Sequence, residues 1–362
     1  MESKSTRHVR IDTSRRSPLL VDRAPGIGED KTKQIPVKET KTHPRGSTGD
    51  EDGSIYFIGT ASTVIEWQGA RILTDPNFLH AGDHVHLGPG VTAERKTNPA
   101  VDLEDMPDLD YILLSHYHED HFDKHVEQSL NRRIPIITTP HAKKCLTSDA
   151  AVGGPFQAIE SLDAFESITL EVDSPQQART ARPDGKKPII KVTGTPGKHI
   201  PPGPLAVAND LLQAVPPTNG WLLELGYGSE AEGSGPTDFD TGYRIYISGD
   251  TLFIEDLLKE IPERLRGEKI DLMLAHLGGT TIPGPKAPLV MVTMDAKQGV
   301  KLMQLMDPDV TVPIHYDDYS VFLSSLGEFK KEVGEAGLQD SVVYLDRGDQ
   351  YRFLVRDDGK SG

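Results

Sequence analysis

Three histidines and an aspartate lie within a single short segment, His116–His121, which reads HYHEDH. The segment follows an apolar run, Tyr111–Ser115, of the kind that forms a buried strand. If the chain turns sharply after this strand, the first two histidines share one side and the last two residues of the segment are carried round to the other. Imidazoles and carboxylates are ligands of zinc, iron and manganese. The segment therefore predicts two adjacent metal ions at a sheet edge; the alternative is a solvated polar loop.

Five further apolar runs also end in a histidine or an aspartate. These runs are Arg71–Asp75, Ile189–His199, Tyr243–Asp250, Asp271–His276 and Asp309–His315. Each is rich in Ile, Val, Leu or Tyr and is bounded by turn residues, which is typical of a short buried strand. For any one run, the terminal residue is explained more simply as a satisfied core residue or a cap. Six such runs together predict that polar strand ends meet at one edge.

These motifs, in this order, resemble the metal-ligand signature of the metallo-β-lactamase superfamily. The flanking sequences, TDP at Thr74–Pro76 and PIHY at Pro313–Tyr316, are similar to the branch that contains the ascorbate-phosphate lactonase and the N-acylphosphatidylethanolamine phospholipase D. The resemblance implies an α/β fold, an αββα sandwich of two mixed β-sheets flanked by helices. It also implies a ligand set in which one metal is held by His116, His118 and His199, the other by Asp120, His121 and His315, and both by Asp250.

The chemistry implied is that of a binuclear metal-dependent hydrolase that uses a metal-bridging hydroxide. Zinc is the expected metal, with manganese or iron as alternatives. Asp120 is expected to orient the hydroxide as well as to bind metal. Asp75 either accepts the free ring N–H of a ligating histidine or caps its strand. His276 stands where the related branch has a proline or a small residue; it is predicted either to act on the substrate or leaving group, or to be a buried neutral histidine.

The long connection 76–108 is predicted to cover the metal edge as a substrate lid. The predicted substrate contacts are Phe78, His84 and His86 in this connection, and Tyr316 beside the last ligand. A small lactone or lactam is the favoured substrate. The alternatives are a phosphodiesterase of the phospholipase D-like branch, and a non-catalytic metal-binding scaffold with the same fold.

Composition restricts the other functions. The net charge of −16 and pI near 5.2 give no basic field for nucleic acid. The single cysteine, Cys145, excludes intrachain disulfides and cysteine-built zinc sites. Residues 1–52 contain 11 basic and 9 acidic side chains and no sustained apolar period. This composition predicts a disordered or extended arm, which is expected to be dispensable for catalysis. Residues 53–356 are predicted to form one catalytic domain and 357–362 a frayed tail. Without a membrane-binding or secretory segment, a cytoplasmic enzyme with a small-molecule substrate is expected.

Overall fold

The computed structural model of the protein describes residues 7–22, 34–88, 90–174, 184–204, 209, 215–229, 237–282 and 290–357. The strands, numbered β1 to β19 in chain order, are Arg7–Asp12, Thr40–Lys41, Gly53–Gly59, Ser62–Trp67, Ala70–Thr74, His84–His86, Thr92–Glu94, Tyr111–Leu113, Ile136–Thr138, Ile159–Ser161, Ser167–Asp173, Lys187–Pro196, Asn219–Ser229, Thr237–Ile247, Leu272–His276, Thr281–Ile282, Val290–Met291, Val310–Ile314 and Gln350–Phe353. The α-helices, α1 to α6, are Lys124–Ser129, Pro140–Leu146, Glu255–Leu258, Glu260–Leu265, Ala296–Met306 and Leu326–Glu335.

Most of these strands form two mixed sheets. A seven-stranded sheet has the order β1-β11-β12-β13-β14-β15-β18, and an eight-stranded sheet has the order β10-β9-β8-β5-β4-β3-β19-β2. In the first sheet β14, β15 and β18 are parallel, and in the second β5, β8, β9 and β10 are parallel. The carboxyl ends of each parallel group therefore lie along one edge of its sheet.

The alternation of side chains along the strands explains the layers. In β3, Ile55 and Phe57 join the core between the two sheets, while Tyr56 and Ile58 pack in a second core with residues of α1 and α2. In the seven-stranded sheet, Leu272 and Leu274 of β15 point into the core between the sheets. Met273 and Ala275 of the same strand pack with residues of α5 and α6 on the outer face. This arrangement is the predicted αββα sandwich, with one shared core and helices on both outer faces.

Helices α5 and α6 both begin at a capping side chain. Asp295 caps α5 by accepting a hydrogen bond from the Gln298 backbone N–H at 2.8 Å. At the start of α6, Ser325 and Glu328 form a reciprocal capping box. The spacing of Phe322, Leu326, Phe329 and Val333 predicts a helix over these residues, but Phe322 precedes α6.

The N-terminal segment is docked on the sandwich, and the prediction of a disordered arm is wrong for β1. This strand pairs in parallel with β11 along the edge of the seven-stranded sheet. Leu19 is fully buried in the outer core of the eight-stranded sheet. The Arg16 Nε and Nη2 atoms donate to the Asp110 carboxylate at 2.9 and 2.8 Å. These contacts indicate a role in stability, while the expectation that residues 1–52 are dispensable for catalysis remains a prediction. The alternative prediction, an extended arm, agrees with the pairing of β1 with β11.

The apolar runs Val342–Leu345 and Tyr351–Val355 predict a closing hairpin, but this hairpin does not form. β19 instead lies between β3 and β2, and Val342 makes an isolated parallel bridge to Thr311 in the other sheet. Apolar content near the end of the chain correctly predicted burial, but it could not define the pairing partner. Of the predicted tail, residues 357–362, the part from residue 358 onwards lies outside the described residues.

Within the described ranges, no helix is long and apolar enough to cross a membrane.

Candidate metal centre

The segment His116–His121 forms a tight turn between β8 and α1. The backbone N–H groups of His121 and Phe122 both donate to the His118 carbonyl, at 3.0 and 2.8 Å. Helix α1 starts only at Lys124, after Asp123, whose side chain accepts from the Val126 N–H. The turn predicted after the strand is therefore present.

The seven predicted ligands lie together at the edge of the sandwich, and they are called the ligand cluster below. Donor atoms of Asp120, His121, Asp250 and His315 all lie within 4.8 Å of one another, as do those of His116, His118 and Asp120. The His199 ring centroid is 4.7 Å from that of His116. Asp250 belongs to the first of these two groups, while Asp120 belongs to both. The bridging role of Asp250 remains a prediction.

Hydrogen bonds orient the imidazoles towards the centre of the cluster. His199 Nδ1 lies 3.1 Å from the Val292 carbonyl, and His315 Nδ1 lies 3.0 Å from the Leu277 carbonyl. Because a carbonyl oxygen only accepts, Nδ1 must carry the hydrogen in both rings. Each Nε2 then keeps a free lone pair, which is the form that binds a metal ion.

The cluster contains many buried polar atoms without a hydrogen-bond partner among the described residues. They are the Nε2 atoms of His116, His118, His121, His199 and His315 and the Oδ1 atoms of Asp120 and Asp250. The Nε2 atom of the neighbouring His276 is buried and lacks a partner in the described ranges as well. His121 Nε2 does lie 3.1 Å from Asp250 Oδ2, but without the angle of a hydrogen bond. An unpaired buried polar group is costly, at about 1–3 kcal/mol each. Such a concentration of nitrogen and oxygen donors fits divalent metal ions, which would use these lone pairs.

The electrostatics of the cluster also fit a cation. Burial lowers the pKa of His116 well below its ordinary value, and that of His199 to about 4, so both rings are neutral near pH 7. For His121 burial acts in the same direction, but the carboxylates of Asp250, Asp120 and Asp75 outweigh it and raise the pKa well above the ordinary value. Positive charge is therefore favoured at this end of the cluster, whether it comes from protons or from metal.

Asp75 makes the contacts expected of a residue that supports a ligand. Its Oδ2 lies 3.1 Å from His121 Nδ1 and accepts a hydrogen bond from the Ser115 hydroxyl at 2.8 Å. Its Oδ1 accepts from the Ser115 N–H at 2.6 Å. The Ser115 hydroxyl also lies 2.9 Å from His116 Nδ1. Ser115 was missed in the sequence, although its position, as a small hydroxyl residue between a buried strand and the histidine motif, is a usable signal.

Backbone conformation places two of the functional residues. Asp250 follows Gly249, whose φ is 61°, and a Cβ at Gly249 would lie 2.3 Å from the Asn219 carbonyl oxygen. Position 249, directly before Asp250, therefore accepts only glycine. His315 itself has a φ of 61°, which is uncommon for a residue with a Cβ and costs about 1–3 kcal/mol. Its surroundings must hold it in this conformation.

His276 lies at the inner end of β15 and is fully buried. Its ring centroid is 5.6 Å from that of His315, and its Nδ1 lies 3.4 Å from the Ser248 hydroxyl. Burial lowers the pKa of His276 to about 3. These observations agree with the alternative of a buried neutral histidine. A direct role in the reaction remains a prediction.

Two predicted substrate contacts point elsewhere. Phe78 is 3% exposed and packs in the outer core of the eight-stranded sheet. Tyr316 packs in the outer core of the other sheet and donates its hydroxyl to the Leu345 carbonyl at 3.2 Å. Both lie near ligands in sequence, but their side chains turn away from the edge, so these predictions are wrong. His84 and His86 are exposed on β6, and the His86 N–H donates to the Glu119 carboxylate at 2.7 Å. Their contact with substrate remains a prediction.

The two-sheet sandwich with a histidine and aspartate cluster at its edge defines a class of protein. Residues 70–316 match the family model described as "Beta-lactamase superfamily domain", and the chain belongs to the metallo-β-lactamase superfamily. It is 26% identical over 315 residues to a UPF0173 metal-dependent hydrolase of Cupriavidus metallidurans, covering 87% of this chain and 88% of that protein. Its fold is similar to that of the isothiocyanate hydrolase from Delia radicum gut bacteria, with a TM-score of 0.60, 16% identity and coverage of 83% and 99%. A possible metal-dependent hydrolase from Veillonella parvula has a TM-score of 0.59, 15% identity and coverage of 83% and 98%.

Proposed function

We propose that the protein is a hydrolase that depends on two divalent metal ions, zinc by preference and manganese or iron otherwise. One ion would be held by His116, His118 and His199, the other by Asp120, His121 and His315, and Asp250 would contact both. The observation that carries the proposal is the set of buried donor atoms without partners at the end of the sandwich. Similarity to metal-dependent hydrolases over most of the chain supports it.

Two such ions would lower the pKa of a bound water towards neutrality and polarise the carbonyl or phosphoryl oxygen of the substrate. The protein's own groups would then orient the reactants. The Asp120 Oδ1 atom is buried and lies 3.0 Å from His118 Nδ1, without the geometry of a hydrogen bond, and it would accept a hydrogen bond from the attacking water. Asp120 stays ionised: burial would raise its pKa, but the adjacent His121 and His118 lower it well below the ordinary value.

We propose a small cyclic ester or amide as substrate. A cavity of about 600 Å³ adjoins the ligand cluster at His199, which is within the range for small-molecule sites. Pro140, Pro196 and Ile200 contribute apolar surface to it. His141 also lines it, and its Nδ1 is buried without a hydrogen-bond partner among the described residues. Burial lowers the pKa of His141, so a neutral imidazole would contact a substrate oxygen.

The proposal is tested by turnover of substrate panels with metal-loaded enzyme. Lactones, lactams, phosphodiesters and thioesters are compared before and after chelation and after metal is restored. We expect ring opening that is lost with the metal and recovered with it. Phosphodiester cleavage without ring opening would contradict the substrate class, and turnover that survives complete metal removal would contradict metal dependence.

A matched pair of variants tests the cavity. His141→Ala should raise KM about tenfold, the cost of one lost polar contact of about 1.4 kcal/mol, with little change in kcat. Lys143→Ala, on the same helix but outside the cavity lining, serves as the control. An equal KM for the two variants would show that substrate does not occupy this cavity.

A further inference from the structure

A pair of opposite charges is fully buried beside the ligand cluster. Arg95 and Asp318 are each 0% exposed, with Arg95 Nη2 3.8 Å from Asp318 Oδ1. The partly exposed Arg347 also donates to Asp318 Oδ1 through its Nη2. Burying two charges costs several kcal/mol per ion unless further hydrogen bonds compensate. Here they do: Arg95 donates to the Thr97 carbonyl, the Thr60 hydroxyl and the Asn77 side-chain oxygen. Arg95, Asp318, Asn77 and Thr60 are called the buried brace below.

One end of the buried brace holds the strained ligand His315. Asp318 Oδ2 accepts from the Thr60 backbone N–H at 2.9 Å, and the Thr60 carbonyl accepts from the His315 N–H at 2.8 Å. Thr60 thus connects the Asp318 carboxylate to the backbone of His315. Since His315 has a left-handed backbone conformation, this anchor helps to offset its strain.

The other end holds the histidine motif. The Asn77 side-chain amide donates to the Glu119 carbonyl at 3.0 Å and to the Tyr319 hydroxyl at 2.9 Å. Glu119 lies between His118 and Asp120, so the position of its carbonyl affects how both ligands are presented. Arg95 orients this amide, because its Nη1 donates to Asn77 Oδ1 at 3.1 Å. One guanidinium therefore contacts both supports.

The connection 76–108, which carries Arg95, is itself fixed in place. Its β6–β7 hairpin packs Val85 and Ala93 against Tyr319 and Val321 in a small core, and Arg95 forms a backbone bridge with Tyr319. The described part of this connection therefore packs against the segment that follows His315, while its role as a substrate lid remains a prediction.

We propose that Arg95 is a positioning residue that sets the separation of the two ligand segments and thereby the affinity of the metal subsite formed by Asp120, His121 and His315. The inference rests on the proposed binuclear function. Residues that orient metal ligands contribute about 10- to 100-fold to metal affinity. The other subsite depends less on the brace, since His199 is anchored by Val292.

The test compares Arg95→Met with Arg16→Met. Both remove a guanidinium that contacts a buried aspartate, but Arg16 binds Asp110 under the N-terminal segment. Zinc affinity of each subsite is measured by competition with a chromophoric chelator, and melting temperature is measured on the metal-free proteins. We expect Arg95→Met to weaken one of the two zinc ions about tenfold or more, and Arg16→Met to lower the melting temperature without changing either affinity.

Asn77→Ala provides a milder variant if Arg95→Met does not fold. It leaves the charge pair in place, removes the donor to the Glu119 carbonyl, and should also weaken one zinc ion selectively. The inference is overturned if wild type binds two zinc ions and Asn77→Ala binds both with unchanged affinity, or if both ions weaken equally. A wild type that binds fewer than two zinc ions contradicts the proposed function, and the inference falls with it.

Discussion

Two groups of buried polar side chains meet at residues 315–319, and they differ in how their polar atoms are satisfied. In the ligand cluster, Nε2 atoms and carboxylate oxygens face one another without hydrogen-bond partners among the described residues. In the buried brace, most donors and acceptors are paired, and only Arg95 Nη2 lacks a hydrogen bond, although it faces Asp318.

This difference separates a site that needs a ligand from a structure that does not. Buried polar groups are nearly always paired in folded proteins, so unpaired ones must be offset by something the chain does not supply. The ligand cluster should therefore respond to metal, and the brace should respond to loss of its own partners. Each prediction below tests one side of this contrast.

The largest effect should come from the carboxylate at the centre of the ligand cluster. Asp250→Asn replaces a charge beside His121 and His315 with a neutral amide, which cannot offset two adjacent cations. We expect metal affinity to fall by more than the roughly 100-fold attributed to residues that only orient ligands, and turnover to fall with it. Retained turnover at the wild-type level would show that Asp250 does not have the assigned role.

Asp120→Asn should separate metal binding from catalysis. If Asp120 chiefly orients the attacking water, kcat should fall about 100-fold or more while metal content falls less. Metal analysis and turnover on the same preparation give both values. Parallel loss of metal and activity would restrict Asp120 to ligation.

Within the buried brace, Asp318→Asn should act first on stability. The change leaves the buried Arg95 charge without its anionic partner and also removes the anion that Arg347 contacts, a defect that costs about 3–5 kcal/mol. Denaturant unfolding of the metal-free protein measures this directly. A cost below about 1 kcal/mol, the level of an exposed pair, would mean that the charges are solvated.

The N-terminal segment should matter for stability but not for the metals. Leu19→Ala removes a fully buried side chain, and such changes cost about 2–5 kcal/mol. Deletion of residues 1–52 should cost more, because it also exposes the edge of β11. The exposed Val21, at 56%, provides the matched control Val21→Ala. Equal stability of the two alanine variants would show that the segment is not docked in solution.

The smallest effect concerns pH. Burial raises the pKa of Asp110 above 3.8, although Arg16 opposes this. A raised pKa in the folded state means that this contribution to stability is complete below the unfolded pKa and is lost as pH rises through the folded pKa. The side chain introduced by Asp110→Asn does not titrate, so the stability penalty of this substitution should be larger near pH 4 than near pH 7. A penalty that increases towards neutral pH would contradict the direction of the shift.

The sequence predicted most where a polar residue follows an apolar strand. Each predicted ligand follows a strand whose apolar residues are visible locally, and parallel strands carry their ends to one edge. The fold and the meeting of these residues at one edge could therefore be predicted. The family resemblance then supplied their grouping.

Side-chain direction and distant pairing could not be read in this way. Phe78 and Tyr316 lie next to functional residues in sequence, yet they point into the outer cores. Strand β1 has few apolar residues of its own, and its place depends on the open edge of β11, more than 150 residues away by the pairing of Arg7 with Ile168. Arg95 has no local signal at all, because its partners come from separate parts of the chain.

Metal stoichiometry tests the central claim most directly. Protein purified without chelator is analysed for bound elements, before and after incubation with zinc or manganese and removal of the excess. The account predicts about two ions per chain, since the donor atoms form two overlapping groups that share Asp120. A reproducible content of one ion or fewer, unchanged by added metal, would contradict it.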